Sequence, residues 1–166
     1  MIEPIREYYN NGKIRRERYY NTNNELHREN EPAWIDYFEN GNIKSMDYYI
    51  NGDTHREDGP AVIGYYENGN IRFKSYFVND KIHREDGPAD TYYSEDGLAS
   101  CKNYYINGVY LTNEYNQYKI SLSKQIIEHE NDVDKLMAIK IVCKEKNDKE
   151  LLELVESKIT LLKLSE

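Results

Sequence analysis

The sequence predicts a mainly β protein with a C-terminal α region. An elongated, single-layer antiparallel β-meander of four 28-residue repeats is expected over residues 1–112, capped by about three helices over residues 113–166. Three observations predict this. His-Arg-Glu recurs at His27, His55 and His83, and proline at Pro4, Pro32, Pro60 and Pro88, each time 28 residues on. Two turn-forming pairs keep the same step: Asn40-Gly41, Asn68-Gly69 and Asp96-Gly97, then Asn51-Gly52, Asn79-Asp80 and Asn107-Gly108. From Asn113 onward there is neither glycine nor proline, and the apolar residues take a helical spacing. A fixed period of this length marks an array whose units bury their apolar surface by stacking on one another.

Within one repeat the elements follow in order. Ala61–Tyr66 reads as a first strand. Glu67-Asn68-Gly69-Asn70 makes a tight turn, for which Asn-Gly is a strong signal. Ile71–Val78 reads as a second strand, Asn79-Asp80 as a second turn, and Lys81–Glu85 as a short extended piece. Asp86-Gly87-Pro88 then turns the chain into the next copy, with proline fixing φ and glycine admitting an unusual backbone. Every connection is a few residues long. Parallel pairing needs a crossover of a dozen or more, so the strands run antiparallel. The copies are unequal: the corner reads HREDGPA at 55–61 and 83–89, HRENEPA in the first copy, and is lost at Leu111-Thr112-Asn113 in the fourth.

Aligned second strands place Arg15, Lys44 and Arg72 in one column and Lys74 and Lys102 in the next, beside Tyr48, Tyr76 and Tyr104. This stripe of Arg72, Lys74, Lys102, Tyr48, Tyr76 and Tyr104 is the candidate binding surface, expected to be exposed. Tyr37, Tyr65 and Tyr93 keep Tyr on the first strand of successive copies and are expected to be core.

In the last third, Tyr115, Tyr118, Leu122 and Ile126 lie on one helical face. Asn131 or Asp132 can cap a second helix. Asn147 with Glu150 reads as the capping box of a Leu-rich third helix. These helices are expected to cap the last edge of the sheet. The alternative for the Leu-rich helix is a homodimer or partner contact.

Composition sets further bounds. The 166 residues are 39% hydrophobic, 31% charged and 13% aromatic, which argues against disorder. No apolar run approaches the ~18 residues of a membrane span. The N-terminus lacks the apolar segment of a secretory leader, so an intracellular location is expected. A net charge of −8 argues against general nucleic-acid binding. Cys101 and Cys143 have no partner spacing, exclude a disulfide framework, and read as packing residues.

His-Arg-Glu has the residue types of an acid–base set, but it occurs three times at one structural position, whereas an active site needs one constellation. Equivalent histidines would lie roughly 10–15 Å apart, too far to share a metal ion. His27, His55, His83, Asp58-Gly59-Pro60 and Asp86-Gly87-Pro88 therefore read as structural corners. No catalytic, metal-binding or cofactor-binding residue is expected, and the chain is not read as an enzyme.

The pattern of paired tyrosines, Asn-Gly turns and HREDGPA corners resembles the MORN-like repeat superfamily. It is most similar to the HREDGPA variety of giant viruses, phages and AT-rich bacteria, part of which carries an antitoxin label. The resemblance covers residues 1–112. It implies a β-hairpin array with a binding or scaffolding role and no catalytic residue. The expected function is a protein–protein interaction module, as a scaffold, inhibitor or antitoxin-like factor. The alternative is a binder of an anionic small ligand or lipid headgroup through the stripe.

Overall fold

The computed structural model describes residues 3–110, 127–128 and 130–165. The chain opens with β1 (Ile5–Tyr8) and β2 (Ile14–Arg18), then β3 (Trp34–Tyr37) and β4 (Ile43–Asp47). A short ribbon follows, β5 (Tyr49–Ile50) with β6 (Asp53–Thr54). The same order repeats as β7 (Val62–Tyr65), β8 (Ile71–Ser75), β9 (Phe77–Val78) and β10 (Lys81–Ile82), and again as β11 (Asp90–Tyr93), β12 (Ala99–Asn103), β13 (Tyr105–Ile106) and β14 (Val109–Tyr110). Helices α1 (Val133–Lys146) and α2 (Lys149–Lys163) close the chain. The expected first helix, around Tyr115–Ile126, lies outside the described residues.

One eight-stranded antiparallel sheet runs in the order β1-β2-β3-β4-β7-β8-β11-β12. The ribbons β5-β6, β9-β10 and β13-β14 are separate two-stranded sheets. Ile71–Val78 is thus not one strand, as its sequence suggests. Tyr76 leaves the ladder and donates its N–H to the Ala89 carbonyl at 2.7 Å, and Tyr19 and Tyr48 do the same to Ala33 and Ala61 at 2.8 Å. Ala33, Ala61 and Ala89 are each 0% exposed, so the corner alanine is fully enclosed by its neighbours.

The two turns of a repeat differ in chemistry. At the sheet tips only the glycine takes positive φ (Gly41 +98°, Gly69 +88°). The residue before it accepts a bond from the residue after, as in Asn42 N–H to Asn40 Oδ1 at 2.8 Å. That is a type I turn with a bulge, and the strand register shifts beside it, between Asp36 and Tyr37. The tight turn with both residues at positive φ is the second one, Asn51 at 50° and Gly52 at 91°.

The register divides the sheet into two faces. One carries Glu7, Asp36, Asp47 and Asp90 with Arg16 and Arg18. The other carries Arg6, Arg15, Lys44, Arg72, Lys74 and Lys102 against Glu17 as its acid. On the first face Phe73 lies flat over Gly64 and 5.9 Å from the Tyr92 ring.

One of the two expected caps is found, Asp132 of the Asn131 or Asp132 alternatives, and the other, Asn147, is not. Asp132 accepts from the N–H groups of Asp134 and Lys135. Asp148, not Asn147, caps α2, because Asn147 ends α1 in the left-handed region at φ 55°. The helices pack on the last ribbon rather than on the sheet's last strand. Tyr104 and Ile106 are buried in one cluster with Leu136, Cys143, Val155 and Ile159. On β12 Ala99–Lys102 stay exposed. Cys143 is a packing residue as expected, but Cys101 is exposed. The Leu-rich α2 buries Val155 and Ile159 against its own chain and leaves Leu161 and Leu164 exposed.

Candidate functional site

Each HRE corner is tied to the unit before it and the unit after it. The backbone N–H groups of His55 and His83 donate to the Tyr48 and Tyr76 carbonyls at 3.1 and 3.0 Å. Their Nδ1 atoms accept from Asn79 and Asn107 of the following unit at 3.2 and 3.1 Å, and His27 accepts from Asn51 at 3.1 Å. An accepting Nδ1 places the ring proton on Nε2. The Arg28, Arg56 and Arg84 guanidinium groups each lie 4.0 Å over the ring of Tyr19, Tyr48 and Tyr76. Arg56 also donates to Asp58 Oδ1 at 2.8 Å and to the Pro60 carbonyl at 3.4 Å. Arg84 repeats both contacts with Asp86 and Pro88.

Gly59 and Gly87 are not in the left-handed region, so unusual φ is not the reason for glycine there. A Cβ on Gly59 would stand 3.2 Å from the Arg56 guanidinium carbon. The first corner solves this differently. Glu31 replaces the glycine and Arg28 pairs with its carboxylate instead of an aspartate.

The second feature is the basic face. Arg15, Lys44, Arg72, Lys74 and Lys102 have no carboxylate within ion-pair distance among the described residues, and four lie over aromatic rings, Arg15 6.0 Å from Tyr9. Arg72 is 6.0 Å from Tyr66, Lys74 5.8 Å from Tyr93 and Lys44 5.9 Å from Phe38. Glu17 is already engaged, accepting from Arg6 at 2.7 Å and from the Tyr37 hydroxyl at 2.8 Å. Burial and that contact push the Tyr37 phenol up.

Residues 4–22, 33–51 and 61–79 match the MORN repeat variant. No curated protein and no solved structure matches the chain. Each MORN-variant segment spans a sheet hairpin, the second and third running on into the first strand of a ribbon; the corners at His27 and His55 lie between matched segments and the corner at His83 follows the last.

Against these MORN-variant segments, the predicted stripe is rearranged. Arg72 and Lys102 are exposed and Lys74 half-buried on the basic face, as its spacing suggests. Tyr48 and Tyr76 are half-buried under Arg56 and Arg84 instead of standing free beside those lysines. Tyr104 is 8% exposed inside the helical cluster and so forms no part of an open surface. Tyr37, Tyr65 and Tyr93, expected as core, are half-buried. Column alignment missed the guanidinium covers because they come from the corner, not from the strands.

The corner arginines therefore carry more of the stability than the face arginines. Replacing Arg56 by Ala removes a ring contact and two charged hydrogen bonds and should cost about 2 kcal/mol. Arg72→Ala, at an exposed position, should cost under about 0.5 kcal/mol. Lysine at position 56 should restore only a minor part, because it lacks the planar fork. Denaturant melts of the three variants check this order.

Among the described residues no group of three or more His, Cys, Asp and Glu side chains could hold a metal ion. Nor is any helix among them long and apolar enough to cross a membrane.

Proposed function

We propose that the chain is a non-catalytic interaction module whose basic sheet face holds an acidic surface of another protein. One observation carries this reading: five cations without carboxylate partners share one face of a chain with net charge −8. A free charge field of one sign steers and holds an oppositely charged partner. The fourth 28-residue unit, the HREDGPA subtype and a scaffold or inhibitor role belong to the same reading. The second reading places an anionic small ligand or lipid headgroup on this face, supported by the cation-over-ring geometry of Lys74 and Arg72.

The test is charge reversal at exposed positions, Lys44→Glu, Arg72→Glu and Lys102→Glu together. The parent should retain an acidic protein from cells that express the chain, and raising salt to about 0.5 M should weaken retention. The triple variant should melt within a few degrees of the parent and lose that protein. Equal retention by both would overturn the reading. Retention of anionic vesicles alone would replace it with the second.

A further inference from the structure

We propose that the row of HRE corners is a second binding surface, separate from the basic face, that takes an extended polyproline-type segment carrying a basic residue at every third position. Two open clefts lie between successive corners, of about 400 and 350 Å³. The residues that shape the first have equivalents 28 positions on in the second. Tyr48, Ile50, His55 and Glu57 in one become Tyr76, Val78, His83 and Glu85 in the other.

The spacing selects the occupant. One repeat advances the sheet by two strands, about 9.6 Å. A polyproline helix has three residues per turn at about 3.1 Å each, so residues i and i+3 stand about 9.3 Å apart on one side. Residues on one side of a β-strand recur at about 6.7 or 13 Å, out of step with the clefts.

The charge selects the side chain. The corner arginines are already stacked on rings and bonded to Asp58 and Asp86. Glu57 and Glu85 stand at the cleft rims with side chains 90% and 59% exposed, each with one carboxylate oxygen 3.8 or 3.7 Å from the Nε2 of His55 or His83 and the rest of the carboxylate open to a ligand. A lysine or arginine stem lying along the apolar walls brings its cationic head to these glutamates. The row stops at two clefts, because the residues that would line a third, Tyr104 and Ile106, are buried in the helical cluster.

The probe is a labelled nine-residue peptide of three Pro-Pro-Lys triplets, titrated by fluorescence anisotropy against the full chain. Its control has three Gly-Ser-Lys triplets, the same charge without the preformed helix. The proline peptide should bind at least tenfold tighter than the control. Glu57→Gln with Glu85→Gln should remove that advantage without changing the melting temperature, and the Lys44, Arg72 and Lys102 charge-reversed variant should retain it. Equal affinity for the two peptides, no binding at millimolar concentration, or an unchanged advantage in the glutamine variant would each overturn the proposal. None of these outcomes bears on the basic face.

Discussion

Gly64→Ala should destabilise the protein by roughly 3 kcal/mol, the upper end of the usual cost of overpacking. Gly64 has no positive φ, so backbone freedom is not the issue. A Cβ there would stand 2.1 Å from Phe73 Cε1, and the ring covering the glycine must leave its position over the sheet and its contact with Tyr92. The pair is local to one unit. The corresponding pairs are Asp36 with Ser45 and Tyr92 with Cys101, where a side chain stands opposite a small residue. In a Phe73→Ser background the same Gly64→Ala change should therefore cost under about 0.5 kcal/mol, and a denaturant-melt cycle of the four proteins measures the coupling. An equal cost in both backgrounds would show that the ring is not the obstacle.

Asp47→Asn should stabilise the protein at pH 8 by on the order of 4 kcal/mol, since each tenfold difference in proton affinity between the folded and unfolded chains is worth about 1.4 kcal/mol. Asp47 lies on the acidic face between Trp34 and Val62, and its Oδ1 is buried without a hydrogen-bond partner. Burial, with Asp36 adding repulsion, raises its carboxyl from 3.8 to about 7, against the weaker pull of Arg16. The folded chain binds this proton more tightly than the unfolded chain. Its contribution is therefore present in full below about pH 3.8 and is lost as pH rises through about 7. The asparagine variant stays neutral and should keep at pH 8 what the parent has lost. The two should converge near pH 4. Position 103 of the last unit already carries Asn in this column, so the amide fits the site. Below pH 4 both proteins should weaken together, since Arg56 and Arg84 hold Asp58 and Asp86 below the usual carboxylate range. Thermal melts from pH 4 to 9 follow both effects, and parallel curves for parent and variant would refute the first.

Much of the array was legible because it rests on local chemistry. The turn pairs, the corner prolines and the alternation of each strand act over a few residues, and repetition averages out the noise of any single copy. The cap of α1, Asp132, was legible for the same reason, while at α2 the sequence pointed to Asn147, one residue before the true cap Asp148. The interruption at Tyr76 was not, because its cause is the Ala89 carbonyl in the next unit. The candidate surface split along the same line. Arg72, Lys74 and Lys102 share a face by strand parity alone, which spacing reveals. The fate of the tyrosines beside them depends on which side chain comes to lie on each ring.

The period, the antiparallel hairpins and the basic column were thus written in the chain itself, because hydrogen-bonding geometry and side-chain alternation leave a short segment few choices. Three features came from long-range packing instead. Arg56 and Arg84 close over Tyr48 and Tyr76, the helices take Tyr104, and two equivalent clefts separate the corners. Each of these depends on residues that neighbouring units or the helices bring together, and the contact energy between distant segments leaves no local mark in either of them.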